Sequence, residues 1–137
     1  MYTYKTRVFL HHTDAAGRLF FANQFYFMHE AKEKLLETLD LSIEKMLNDS
    51  ELTYPLVHAE ADYKAMLVAG DLITVNIGVE KIGETSVTFA YTIHKDDGTL
   101  AGTGKTVSVC VNKKTNMKVP LPKSWREKFT KALIKPV

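Results

Sequence analysis

The sequence predicts an α+β domain in which a curved antiparallel sheet wraps one long central helix, and three observations carry that expectation. Apolar residues recur every three or four positions between Ala22 and Leu39, a helical spacing. From residue 57 onward the period drops to two, as in strands with one buried face. The breaks between those strands are too short for crossover helices, so neighbours must run antiparallel.

Residues 3 to 12 read as the first strand, with Thr6, Val8 and Leu10 alternating against Lys5, Arg7 and Phe9, and it ends at "TDAAG". The long helix follows, with Phe25, Met28, Ala31, Leu35 and Leu39 on one stripe and Glu30, Lys34 and Glu37 between them. A second, short helix starts at Ser42 as N-cap, flanked by Leu41 and Met46 as a hydrophobic staple, and stops near Asn48 to Ser50. Three strands are then carried by Val57, Ala59, Ala61 and Tyr63, by Ile73, Val75, Ile77 and Val79, and by Val87, Phe89, Tyr91 and Ile93. "VAGD", "KIGE" and "DDGT" supply the turns. Residues 99 to 112 form a last long strand, in which Gly102 and Gly104 allow a bend or the close approach of another backbone. The terminal "PLPKSWREKFTKALIKPV" reads as an extended piece and a short helix carrying Trp125, Phe129 and Leu133.

With 137 residues, 45% hydrophobic and 25% charged, the chain has the balance of one globular domain spanning 1–137. A formal charge of +2, from 18 basic and 16 acidic residues spread along the chain, leaves no stripe for nucleic acid. No segment approaches the roughly 20 apolar residues of a membrane span or the pattern of a signal peptide, so a cytoplasmic location is expected. The lone Cys110 lies in a β-branched run and suggests neither a disulfide nor a zinc knuckle.

Chemistry concentrates in "HHTDAAGRLFFANQF", residues 11–25. His11 and His12, adjacent on a strand, point to opposite faces and cannot share an ion, and His29, His58 and His94 form no ligand spacing, so no metal site is expected. Asp14 admits two readings. It can close an Asx turn with its own backbone. It can also face the helix that starts at Ala22 or Asn23, whose free N–H groups would stabilise an oxyanion, so that carboxylate and N–H groups bracket a carbonyl carbon as acyl hydrolysis requires. There is no GxSxG elbow, and Cys110 has no evident histidine partner.

The stretch "TDAAGRLFFANQFYFMHEAKEKLL", continued by "PLVHAEADYKAMLVAGDLITVNI" and "VPLPKSW", resembles the hotdog-fold acyl-CoA thioesterases of the 4-hydroxybenzoyl-CoA thioesterase type. "TDAAG", "HEA" and "PLVHA" with the "PLPxxW" ending are together most similar to the subgroup that hydrolyses 1,4-dihydroxy-2-naphthoyl-CoA in quinone biosynthesis. The resemblance implies a hotdog fold and a dimer joined edge to edge, often a tetramer, with active sites at the subunit interface. It needs no metal or redox cofactor, coenzyme A being part of substrate and product.

By the same resemblance, Asp14 is the catalytic carboxylate, as nucleophile or as general base, and the Phe21 backbone N–H holds the thioester oxygen. Gly17 lets the loop approach the substrate, and Asn23 stands at the helix entry. Many members carry histidine where this chain has Phe21, and an acidic residue where it has His12; an imidazole beside Asp14 would favour the ionised carboxylate. Glu30 either orients a water or sits at a subunit contact. His58 faces either the cleft or solvent. Phe20, Tyr54 and Met66 are ring contacts or core, and Lys64, Lys81, Lys105 and Lys113 are basic groups near strand ends that either meet the coenzyme phosphates or merely solubilise. The alternatives kept open are hydrolysis of a short-chain or other aryl acyl-CoA, and a non-catalytic acyl-CoA-binding protein on the same fold.

Overall fold

The computed structural model describes residues 1–134, the Asp49 side chain excepted. The final Lys135–Val137 of the predicted terminal segment lie outside the described residues. In chain order the elements are β1 (Tyr2–Arg7), α1 (Asn23–Thr38), α2 (Ile43–Asp49), β2 (Leu52–Thr53), β3 (Leu56–Tyr63), β4 (Leu72–Ile82), β5 (Ser86–Lys95), β6 (Leu100–Val109), β7 (Val111–Asn112) and α3 (Lys123–Thr130). Five strands form one antiparallel sheet in the order β1-β4-β5-β6-β3, and β2 pairs with β7 separately.

The alternation read in the sequence is the alternation of burial. Ile73, Val75, Ile77 and Val79 of β4 and Val87, Phe89, Tyr91 and Ile93 of β5 are all buried, each aliphatic or aromatic side chain contributing about 1.5–3 kcal/mol. Helix α1, the longest, turns Phe27, Met28, Ala31, Leu35 and Leu36 onto this face. Its first turn sits very close to β6. A Cβ on Gly102 would lie 2.6 Å from Gln24 Nε2, and one on Gly104 would collide with Met28 Cε. The two glycines therefore admit side chains of α1, and at Gly104 the close approach of another backbone that the sequence suggested is also present, at Glu60 O. Ser42 caps α2, its hydroxyl accepting the Lys45 N–H at 3.3 Å, with Leu41 and Met46 both buried.

Three expectations are corrected. The first strand ends at Arg7, and Leu10–His12 form a single 3-10 turn closed by His12 N–H to Phe9 O and Thr13 N–H to Leu10 O. The His11 and His12 rings consequently lie 4.1 Å apart, not on opposite faces; among the described residues no group of three or more His, Cys, Asp or Glu side chains gathers to hold a metal ion. Leu133 lies beyond α3, where it bridges to Val79. Finally, β3, an edge strand paired only to β6, buries neither face in this single chain: seven of its eight residues are exposed.

Candidate active site

The chain between β1 and α1 doubles back on itself as a small hairpin. Asp14 N–H donates to Arg18 O (2.7 Å), Thr13 bridges Leu19, and Phe20 N–H donates to His12 O (2.9 Å). The reversal requires Gly17, whose φ of +78° favours glycine, while the space around it is open. Asp14 forms the Asx turn that its sequence context suggested: Oδ1 accepts the Ala16 N–H at 2.9 Å and the Arg18 N–H at 3.2 Å. That ties one carboxylate oxygen to the turn; Oδ2 has no hydrogen-bond partner among the described residues. Asp14 itself is exposed.

The hairpin delivers the chain into α1. Asn23 N–H bonds Phe20 O and Gln24 N–H bonds Phe21 O, so the Phe21 and Ala22 N–H groups are left without partners among the described residues at the positive end of a 16-residue helix. Three side chains fix this terminus. The Asn23 amide donates to His12 O at 2.7 Å. Buried Gln24 donates to Asp62 O (3.0 Å) and Thr103 O (3.2 Å), riveting the helix to β3 and β6. The Tyr63 hydroxyl donates to Phe21 O at 2.8 Å; burial raises its pKa, which keeps it a neutral donor.

Beside these N–H groups opens a cavity of about 380 Å³, walled by Arg18, Phe21, Gln24, Tyr63, Lys64 and Met66 among others. The sequence-predicted residues divide around it. Phe21, Lys64 and Met66 line it; Asp14, Gly17, Phe20 and Asn23 do not, but belong to the same hairpin and helix entry as Arg18, Leu19 and Phe21, which do. Phe20 and Phe21 lean on each other at 4.8 Å.

The others lie elsewhere. Glu30 accepts from the Tyr4 hydroxyl of β1 (3.1 Å). His58 pairs with Val107 on the sheet face away from α1, 4.0 Å from Glu60. Tyr54 packs edge-on to Trp125 and Phe129, its buried hydroxyl without a partner among the described residues. Lys105 stands mid-strand rather than at a strand end, paired with Glu80 at 2.9 Å. Lys113 caps α2, donating to Met46 O (2.7 Å) and Leu47 O (3.0 Å), and Lys81 follows the register shift in β4. His12 turns from Asp14 to the core: its Nδ1 accepts the Phe9 N–H at 2.9 Å and its ring packs on Phe27 at 4.9 Å, with burial lowering its pKa.

Arg18, Gln24 and Tyr63 were missed by sequence reasoning. Only Gln24 carried a signal, a polar residue four before Met28 on the apolar stripe of the helix.

A carboxylate in a hairpin, free N–H groups at a helix N-terminus and a cavity between helix and sheet are the parts that acyl transfer from a thioester needs. A family model described as thioesterase-like superfamily matches residues 8–129. The chain belongs to that superfamily. It is 32% identical over 126 residues to the 1,4-dihydroxy-2-naphthoyl-CoA hydrolase of Rippkaea orientalis, covering 90% of this chain and 91% of that one. Among solved structures it is similar to a 1,4-dihydroxy-2-naphthoyl-CoA thioesterase from Synechocystis, with 29% identity, TM-score 0.88 and coverage of 94% and 95%. It is also similar to a gentisyl-coenzyme A thioesterase, with 27% identity, TM-score 0.82 and coverage of 90% and 98%. This superfamily member has no described helix long and apolar enough to cross a membrane.

Proposed function

We propose that the protein is a cytoplasmic acyl-CoA thioesterase that hydrolyses an aromatic acyl-CoA, 1,4-dihydroxy-2-naphthoyl-CoA first among them, to the aryl acid and free coenzyme A. The observation that carries this reading is the pair of N–H groups at Phe21 and Ala22, unpartnered among the described residues and next to the cavity that Phe21 lines, with Asp14 in the hairpin that leads to them. The thioester carbonyl accepts from the Phe21 N–H, which gains strength as negative charge develops on that oxygen. Asp14, through Oδ2, either attacks the carbonyl carbon or removes a proton from an attacking water. Both routes are open to a carboxylate held on one oxygen and free on the other. Coenzyme A enters as substrate and leaves as product, and no other cofactor is required.

The sheet is read as the hotdog arrangement, curving round α1. The unpaired outer edge of β3, eight residues long with Leu56, Val57 and Tyr63 exposed, is read as the seam of a homodimer, two copies of which form any tetramer. Arg18 and Lys64, at the cavity wall, are read as cations for the coenzyme phosphates. A second reading, hydrolysis of another dihydroxyaryl thioester, is favoured by the likeness to a gentisyl-coenzyme A thioesterase.

The test is thiol release from a panel of acyl-CoA esters, including dihydroxynaphthoyl, gentisyl, benzoyl and acetyl. Asp14→Asn, nearly isosteric, should lose about 10²–10⁴-fold in turnover. Near-normal turnover by the folded variant would remove Asp14 from the mechanism, and acyl-CoA binding without turnover by the unmodified protein would make it a binding protein.

A further inference from the structure

Among the described residues, Lys32 is the charged side chain that this fold buries: it is 5% exposed, on the face of α1 that meets the sheet. Its Nζ donates to Ser108 Oγ at 3.0 Å and stands 5.0 Å from the centre of the Phe89 ring and 5.8 Å from that of Tyr54. An ammonium has three protons to donate, and among the described residues this one has no carboxylate partner. Burial pulls its pKa down to about 8, which still leaves it a cation at neutral pH. Natural cores rarely keep a charge in such a place without a use for it.

Two cavities meet at Lys32. One, of about 230 Å³, has Phe25, Tyr26, Ala59 and Tyr91 in its walls; the other, of about 280 Å³, has Ile43, Met46 and Tyr54, and His29, Lys32 and Leu56 border both. Apolar walls around an under-satisfied cation fit a flat ring that carries an acidic oxygen, because the ring replaces water at the walls while the oxygen accepts a charge-assisted hydrogen bond.

Lys32 lies eleven residues beyond Phe21, about 16 Å along the helix axis. An aryl group whose thioester sits at the Phe21 N–H is too short to span that within one chain. The edge strand supplies another route. The first cavity borders the Leu56–Ala59 end of β3, whereas the candidate active site borders its Tyr63 end. Two copies paired antiparallel through β3 about a two-fold axis set one copy's Leu56 end beside the other's Tyr63 end.

We propose that Lys32 of one copy binds the acidic oxygen of an aryl group whose thioester is held at Phe21 of the other, so that Lys32 selects hydroxylated aryl thioesters over unsubstituted ones. This rests on the thioesterase reading and on pairing through β3. The hydroxyls of a dihydroxynaphthoyl or gentisyl group are oxygens of the required kind.

Lys32→Met keeps an unbranched side chain one atom shorter and removes the charge. Its kcat/KM for 1,4-dihydroxy-2-naphthoyl-CoA should fall roughly 10- to 100-fold relative to that for unsubstituted 2-naphthoyl-CoA. An equal loss on both esters, or on neither, overturns the proposal. Mixing Asp14→Asn with Lys32→Met subunits gives mixed dimers with one intact site each, and should restore roughly a quarter of normal turnover of the dihydroxy ester; no restoration overturns the placement across the dimer. Binding of free 1,4-dihydroxy-2-naphthoate, followed by the fluorescence of Trp125 beside Tyr54, needs no hydrolysis. If the unmodified protein binds this acid more tightly than Lys32→Met does, yet cleaves neither ester, the Lys32 site stands and the thioesterase reading falls. Equal binding by the two proteins overturns the Lys32 site.

Discussion

If Lys32 is kept for its charge, the fold bears a cost that a substitution should release. Its pKa falls from the ordinary 10.5 to about 8 on burial, a difference equivalent to about 3 kcal/mol. Below pH 8 both the folded and the unfolded chain carry the proton, and the full penalty is present. Between pH 8 and 10.5 the unfolded chain holds the proton more strongly than the folded one, so stability rises with pH and the penalty fades. Lys32→Met removes the penalty but leaves Ser108 Oγ without its donor, which returns about 1 kcal/mol. At pH 7 the variant should therefore be more stable by about 2 kcal/mol, or roughly 6–10 °C in Tm for a domain of this size. Calorimetry of both proteins at equal concentration, from pH 6 to 10, measures this. Tyr54 and Tyr91, whose pKa values burial raises, stand in the same cavity walls in both proteins and stay neutral in the folded chain over this range, so the two tyrosines cancel in the difference. A variant that melts lower than the parent at pH 7, or a difference that does not shrink toward pH 10, would refute the reasoning.

Other outcomes follow from the site. Phe21→Pro deletes the proposed oxyanion donor and should raise the barrier to turnover by about 3–4 kcal/mol, whereas Phe21→Leu keeps the N–H and should be mild; steady-state thiol release compares them. Tyr63→Phe loses the hydrogen bond that holds Phe21 O and should lower kcat more than it changes the melting temperature, since the side chain is half exposed. Gly102→Ala would press a methyl group to within 2.6 Å of Gln24, and denaturant unfolding should show a loss of about 1–3 kcal/mol. Lys113→Met should weaken α2 by about 1 kcal/mol in the same assay while leaving the KM for the acyl-CoA unchanged, because that lysine caps a helix.

Much of the fold was legible because burial imposes its period on the sequence. In β4 and β5 one face meets the core along the strand, and the eight residues picked by alternation are all buried, with Gly78 the one buried residue out of step. The same rule misled at β1 and β3, for different reasons. "VFLHH" keeps an alternating pattern past Arg7, but Leu10–His12 close a turn through backbone bonds that hydrophobicity does not encode. In β3 the alternation of Val57, Ala59 and Ala61 marks no buried face in this single chain, and the likeness of "PLVHA" drew His58 toward a cleft that the register turns away from.

Around the site, the sequence exposed the groups whose neighbours along the chain matter and hid those whose neighbours are distant. Asp14, Gly17 and Phe21 belong to one hairpin, so "TDAAGRLFF" contains both the turn and the helix entry that follows it. Tyr63 meets Phe21 across 42 residues, and Gln24 meets Thr103 across 79; no local pattern marks such partners. Lys32 shows the limit most plainly. It stands four residues after Met28 and four before Leu36, on the stripe that the helical period assigns to the core, yet a lysine there reads by residue type as solvent-facing. Period and residue type disagree at that position, and local consistency yields to function where such conflicts persist. Gln24 is the same kind of conflict two turns earlier on α1, and there the polar group proves to rivet the helix beside the candidate active site. The polar residues on the apolar stripe of α1 are thus where its chemistry should be sought, ahead of exposed candidates such as His58 and Lys81.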